Sequence, residues 1–176
     1  MIRTGRSARV DRRHVLRLGF LGAVGLAGAE LLGAMVPFFR VTRIVGLGAP
    51  VLVGPKAQVL AAFAETNDAP ILFRQGHFFL LHAPGGIIAA YRKCTHLGCA
   101  VPFNVPEDRF HCPCHGSIYD KRTAIVIRDP APKPLQLFHI SETDAGLVVD
   151  TNPLNIIDRR DNRWDPSVIE IADSAS

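Results

Sequence analysis

At 176 residues the chain is long enough for one domain of ordinary size with residues left over. Its hydrophobic fraction is 48% and its mean hydropathy is positive, +0.17, which a purely soluble domain rarely shows. The formal net charge of +4 is local: residues 1–17 carry six arginines against Asp11, whereas the remainder holds 14 basic and 15 acidic residues. A basic tip on a near-neutral body excludes a nucleic-acid binder, which needs its basic face on the folded domain.

Residues 1–17 form an arginine-rich segment that the positive-inside rule places in the cytoplasm. Leu18 to Phe39 follow as 22 residues with a single charge, Glu30. At 1.5 Å per residue they make roughly 33 Å of helix, enough to cross a hydrocarbon core of about 30 Å. The run has no polar face, so a transmembrane anchor is expected over 18–39, with the body on the outer, periplasmic side of the cell membrane. Arg12-Arg13 before the apolar run resembles a twin-arginine export signal, with Asp11 and Val15 at positions where that signal usually has a serine or threonine and a phenylalanine. Ala27-Gly28-Ala29 has the look of a cleavage site, but cutting there would leave a stub too short to span, so an uncleaved anchor is the expectation. Gly19, Ala23 and Ala27 lie four apart, a small-residue stripe suited to packing on another membrane helix or simply ordinary helix composition. The carboxylate of Glu30 is costly in a membrane and should face a protein partner or carry a proton.

Residues 40–54, with three glycines and a proline, read as a linker, with a short strand as the alternative. The body, 55–150, reads as short β runs over 69–83, 85–94, 124–129, 135–142 and 145–151, separated by turns such as Pro84-Gly85-Gly86 and Asp144-Ala145-Gly146. One helix is expected over Ala57–Thr66. The fold class is therefore all-β: a small antiparallel sandwich or barrel carrying a cysteine-rich loop insertion. The tail, 151–176, is polar after residue 157 and is expected to wrap the surface or to dock on a partner.

The chemistry concentrates in "CTHLGCAVPFNVPEDRFHCPCHGSIYD", residues 94–120, which holds all four cysteines and three of the seven histidines. Scattered structural thiols would not group so closely beside histidines. A zinc site could use Cys94, His96, Cys112 and His115 as a tetrahedral set, but Cys99 and Cys114 would then serve no purpose. The remaining possibility is a [2Fe–2S] cluster with mixed ligation, two cysteines on one iron and two histidines on the other.

"CTHLGC" and "CPCHGSIYD" resemble the two cluster-binding boxes of Rieske proteins, and more narrowly those of the Rieske subunit of cytochrome bc1 and b6f complexes. The C-x-H-(15)-C-x-x-H spacing fits, as does the second cysteine of each box; the likeness is strongest over 91–135. The resemblance implies that Cys94 and Cys112 ligate one iron, that His96 and His115 ligate the other, and that Cys99 and Cys114 form a disulfide joining the two loops. A disulfide needs an oxidising compartment, consistent with a body across the membrane. The soluble Rieske ferredoxins and the ring-hydroxylating oxygenases usually lack this cysteine pair and the anchor.

Charge explains what such ligation does. Two thiolates bring the oxidised cluster core to zero charge, where four would leave it at about −2, so histidine ligation raises the potential into the Rieske range of roughly −150 to +300 mV. The resemblance assigns Ser117 and Tyr119 as hydroxyl donors to the sulfurs, which raise it further. It places the loop Asp129–Leu135, with Pro130, Ala131 and Pro132, over the cluster, and Leu97 as an apolar docking contact or a packing residue. A second imidazole nitrogen can carry a proton with the electron. The resemblance therefore puts His115, with His96 second, against a quinol on a cytochrome b-type subunit, the electron passing on to a c-type cytochrome or cytochrome f. Complexes of this family are dimers. Two departures touch the loops: Asp129 stands where the family commonly has glycine, and Thr123-Ala124 follows "YDKR" where a glycine is frequent. If the backbone at 129 needs a positive φ, aspartate adopts it less easily; its carboxylate would also favour the oxidised state. His77, His82, His111 and His139 have no ligand partner at useful spacing. The alternatives are the small Rieske subunit of an exported molybdenum oxidase such as arsenite oxidase, and a membrane-anchored structural zinc module.

Overall fold

The computed structural model describes residues 11–39 and 48–173. The chain divides into two compact units, Met1–Arg43 and Ile44–Ser176. In the first, helix α1 spans Arg12–Phe39. Asp11 starts it: its side chain accepts the Arg13 N–H at 3.1 Å and its carbonyl accepts those of His14 and Val15, the role of an N-cap. The helix thus begins six residues before the apolar run and carries Arg12, Arg13 and Arg17 with it. Residues 12–36 are long and apolar enough to cross a membrane, with a mean hydropathy of 1.7, and Leu16, Phe20, Leu31 and Leu32 present their side chains outward. The arginines before residue 11 and the first part of the expected linker, 40–47, lie outside the described residues.

The second unit is antiparallel throughout. Its larger sheet runs β1 (Pro50–Gly54), β10 (Gly146–Asp150), β9 (Leu137–Thr143), β4 (Gly86–Tyr91), β3 (Phe78–Ala83), β2 (Ile71–Phe73). The expected run 69–83 is two strands, parted at Arg74–His77, where His77 takes a φ of 54°. A smaller sheet of four short strands, β5 (Phe103–Asn104), β6 (Arg109–His111), β7 (Ile118–Tyr119) and β8 (Val126–Arg128), lies in and just after the cysteine-rich stretch. That stretch is therefore a sheet-bearing insertion rather than loop alone.

Two apolar cores explain the arrangement. Strands β3 and β4 are buried on both faces, so their side chains alternate between the cores. Phe78, Leu80, Ile87 and Ala89 meet Phe138, Leu147 and helix α2 (Lys56–Glu65), which contributes Val59 and Phe63. Phe79, Leu81, Ile88 and Ala90 face the other way and meet Phe110, Tyr119, Ala131, Leu135, Cys94 and Cys112. The second core is thus the floor of the cysteine-rich region, and its rigidity is passed to that region directly. Helix α2 ends where the Thr66 N–H and hydroxyl return to the Ala62 carbonyl and Asn67 and Asp68 turn left-handed, with φ of 54° and 57°.

Two boundaries differ from expectation. The C-terminal part of the linker 40–54 is strand β1, paired Val51↔Val149 and Leu52↔Val148; its Val and Leu side chains supply the β pattern that Gly48, Gly54 and Pro50 obscure. The tail is not confined to the surface: β11 (Ile156–Ile157) pairs with β9, β12 (Ile171–Ala172) pairs with β4, and Arg159 and Ile171 are buried. The unit accordingly reaches Asp173 rather than ending at 150. Docking of β12 requires Gly86, where an added Cβ would lie 2.1 Å from the Ile171 carbonyl oxygen. Gly86→Ala is therefore expected to cost about 1–3 kcal/mol, read as a lower thermal midpoint of the full chain. An unchanged midpoint would mean that β12 is dispensable to the fold.

Candidate metal centre

The two boxes fold as near-repeats of one turn. In the first, the Gly98 N–H donates to the Cys94 carbonyl at 2.9 Å and the Cys94 N–H to the Cys99 carbonyl at 2.8 Å. In the second, Gly116 donates to Cys112 at 3.0 Å and Cys112 to Ser117 at 2.8 Å. Each turn closes through a left-handed glycine, Gly98 at φ 81° and Gly116 at φ 78°, a conformation glycine adopts without penalty. A bridge between Lys93 and Ala100 anchors the first turn, and the hairpin of β6 and β7 carries the second.

Cys94 and Cys112 are free thiols and both are buried, at 3% and 1% exposure. Burial raises the thiol pKa of each. At Cys94 this is outweighed by the Tyr119 hydroxyl and the N–H groups of His96 and Leu97, leaving it below the ordinary thiol value. At Cys112 burial prevails although the N–H groups of Cys114 and His115 also point at the sulfur. The repeated placement of main-chain donors at the second and third residue after each cysteine favours thiolate, the form that ligates metal.

Cys99 and Cys114 are disulfide-bonded, with Cα atoms 6.7 Å apart and a sequence separation of 15. The sulfurs of Cys99, Cys112 and Cys114 lie within 4.8 Å of one another, but two of the three are consumed in the disulfide, so they are not a three-thiol ligand set. The rings of His96 and His115 meet at 4.7 Å between centroids, perpendicular to each other. His115 is exposed and His96 half-buried. The Nδ1 of His96 is buried without a hydrogen-bond partner. A buried lone-pair nitrogen beside buried thiols is what a metal-ligating imidazole looks like before its metal is counted. Cys94, Cys112, His96 and His115 thus fit a two-sulfur, two-nitrogen centre.

The hydroxyls and the proline loop complete the surround. Thr95 donates its hydroxyl to the Lys133 carbonyl at 2.5 Å, and its N–H donates to the Tyr119 oxygen at 3.2 Å. The Tyr119 proton is left to donate to Cys94 Sγ at 3.1 Å or Thr95 Oγ1 at 3.3 Å, and burial pushes the phenol pKa up, keeping that proton in place. Ser117 is fully buried; its Oγ accepts the Ala131 N–H at 3.1 Å, so its own proton is available as a donor. Ala131 is buried, Pro130 and Pro132 are exposed, and the Asp129-Pro130 peptide bond is cis. Asp129 does not take a positive φ; the left-handed residue is Ala124, at 54°. Leu97 is 70% exposed beside His96. Three of the other histidines pair with carboxylates: His82 with Asp68 and Asp173, His111 with Glu107, His139 with Glu170. Sequence reasoning missed Thr95 and Lys133, which join the first box to the proline loop, because a threonine hydroxyl meeting a main-chain carbonyl 38 residues away leaves no local signature.

A Rieske [2Fe-2S] domain model matches residues 53–139. The cytochrome b6-f complex iron-sulfur subunit of a Synechococcus strain is 34% identical over 157 residues, covering 82% of this chain and 88% of its own. Chloroplastic subunit 2 from Nicotiana tabacum is 35% identical over 151 residues, covering 80% and 65%. Higher identities come over shorter stretches: the cyanelle subunit 1 of Cyanophora paradoxa reaches 58% over 55 residues, which is 31% of this chain and 23% of its own length. Across the first such relatives the matched region spans about a quarter to two fifths of their length. Among solved structures, the plasma membrane Rieske protein PetC3 of Synechocystis is 25% identical, covering 56% of this chain and 97% of its own, with a TM-score of 0.42. The body is a Rieske [2Fe–2S] domain on an antiparallel scaffold. The chain belongs to the Rieske iron–sulfur protein family.

The disulfide closes a loop of about 15 residues, for which chain entropy gives about 3 kcal/mol. The Cys99→Ala/Cys114→Ala double variant is expected to lose its visible iron–sulfur absorption at a lower temperature than the wild type. Equal melting of that absorption in both proteins would contradict a clamping role for the bridge.

Proposed function

We propose that this chain is the high-potential electron carrier of a quinol-oxidising, cytochrome bc-type complex, of the b6f kind. Its head takes one electron, with a proton, from a quinol held by a cytochrome b-type subunit and passes the electron to a c-type cytochrome or cytochrome f. The observation that carries this reading is that the two turns each supply a buried free thiol and an imidazole, the two imidazoles in ring contact, with His115 exposed and Leu97 exposed next to His96. The named relatives, subunits of cytochrome b6-f complexes, support the assignment, and α1 is suited to anchoring the chain in the cell membrane with the head on the outer face.

Each residue has a separate task. Cys94 and Cys112 would hold one iron through thiolate sulfur, and His96 and His115 the other through nitrogen; a cluster so held would supply one-electron redox chemistry at high potential. His115, being exposed, presents its outer nitrogen to the quinol hydroxyl and holds the proton there, with His96 second. Leu97 offers an apolar contact that excludes water at the docking face. Tyr119 aims its hydroxyl proton at Cys94 Sγ, and Ser117, which accepts from Ala131, has its own proton left to donate to the cluster; both favour the added electron. The proline loop, tied to both boxes through Thr95 and Ser117, shields the site from water.

Hydrogen bonds to charged groups are worth about 1.5–3 kcal/mol, and about 1.4 kcal/mol corresponds to roughly 59 mV for one electron. Tyr119→Phe and Ser117→Ala are each expected to lower the midpoint potential by on the order of 60 mV. A double variant that titrates like the wild type would remove these hydroxyls from the account. Assignment to a quinol-oxidising complex is checked by purifying the tagged full chain from its native membrane: b-type haem should accompany it, and a molybdenum cofactor without b-type haem would assign it elsewhere.

A further inference from the structure

Arg159 is buried at 6% exposure, and it is the single buried charged side chain among the described residues. Among the described residues no carboxylate forms an ion pair with it. Its guanidinium donates to main-chain carbonyls alone: Nη1 to Thr123 at 2.7 Å, Nη2 to Leu135 at 2.6 Å and to Ala124 at 3.4 Å, and Nε to Leu135 at 3.1 Å. Burial lowers its pKa to about 10, which leaves it a cation at neutral pH. Placing an unpaired charge in a protein interior is costly, and a neutral side chain would fill the same space without that cost.

The acceptors identify what the charge does. Leu135 ends the proline loop, and Thr123-Ala124 ends the segment that leaves the second box. Ala124 is left-handed with a φ of 54°, a conformation that disfavours any residue with a Cβ. The backbone there is held from both sides. Asp120 accepts the N–H groups of Arg122 and Thr123 and the Thr123 hydroxyl, its carbonyl accepts the Ala124 N–H, and the Leu135 N–H donates to the Ala124 carbonyl. Arg159 reaches over this junction from the tail and ties the two segments together. Those segments carry Ser117 and Tyr119 on one side and Ala131 and Lys133 on the other: Ser117 holds the Ala131 N–H, Thr95 of the first box holds the Lys133 carbonyl, and Tyr119 meets the Cys94 thiol.

We infer that Arg159 is a positioning residue for the redox site: its forked guanidinium fixes the proline loop against the second box, and its uncompensated positive charge favours the reduced state of the group held there. The inference rests on the Rieske reading given above. Arg159→Lys keeps the charge but loses the fork; Arg159→Met loses both.

In the full chain carrying its cluster, Arg159→Met is expected to show a lower midpoint potential than the wild type, with Arg159→Lys between the two. Amide hydrogen exchange at Leu135 and Ala124 should be faster in both variants, a readout that needs no electron transfer. Variants that fold, hold the cluster and match the wild type in potential and in exchange at both amides would overturn the inference. So would faster exchange with an unchanged potential in Arg159→Met, because the role would then be structural alone. Should Arg159→Met fail to fold, Arg159→Lys decides by the same two readings. Should both fail, exchange in the wild type decides: slow exchange at the Leu135 amide supports the clamp, and exchange as fast as in an exposed loop overturns it. A wild-type chain that binds no iron–sulfur cluster would instead contradict the functional reading beneath it.

Discussion

Two short turns have to face each other at a fixed distance, and the covalent bridge between Cys99 and Cys114 sets that distance. Each turn is closed by its own main-chain hydrogen bonds through Gly98 or Gly116 and presents one buried thiol and one imidazole. The turns belong to different parts of the small sheet, one before β5 and one between β6 and β7. A slip of either relative to the other would part the two thiols from each other and the two imidazoles from each other. The rest of the head can be understood as what keeps this pair of turns in place.

The support comes from three directions. Beneath the turns, the core built on Phe79, Leu81, Ile88, Phe110 and Tyr119 leaves little room for adjustment, because close-packed interiors transmit displacement rather than absorb it. To the side, the proline loop is pinned at Ala131 by Ser117 and at Lys133 by Thr95. The tail returns through β11 and β12 and places Arg159 at the junction of the proline loop and the second box. Thr95 and Tyr119 touch each other, so substitutions at these two should not be additive.

The redox centre was the most legible part of the sequence because its information is local. Thiols and imidazoles two or three residues apart state a ligand pattern without reference to the fold, and the pairing of Cys99 with Cys114 followed from family resemblance. The longer strands β3, β4, β9 and β10 were legible from their apolar content and the turns around them. The strands β5 to β7, β11 and β12 were not, since two or three residues hold no periodicity; they exist because neighbouring strands offer them partners. Strand β1 was legible only as the alternative to a linker, because glycines and a proline surround Val51 and Val53. Arg159 gave no signal at all, because its partners are carbonyls 24 to 36 residues away and any residue supplies a carbonyl. The departure at Thr123-Ala124 was visible in the sequence, but its meaning, a left-handed alanine held by its surroundings, needed the backbone. The polar composition of the tail suggested a surface segment, whereas it is its sparse apolar residues, Ile156, Ile157 and Ile171, that pair with the sheet.

The central claim is mixed ligation by Cys94, Cys112, His96 and His115. A redox titration of the full-length chain carrying its cluster tests it most directly. Two thiolates and two neutral imidazoles place the midpoint potential within roughly −150 to +300 mV. A potential near −400 mV, the value of plant-type four-thiolate clusters, or a colourless protein that binds zinc, would contradict the account.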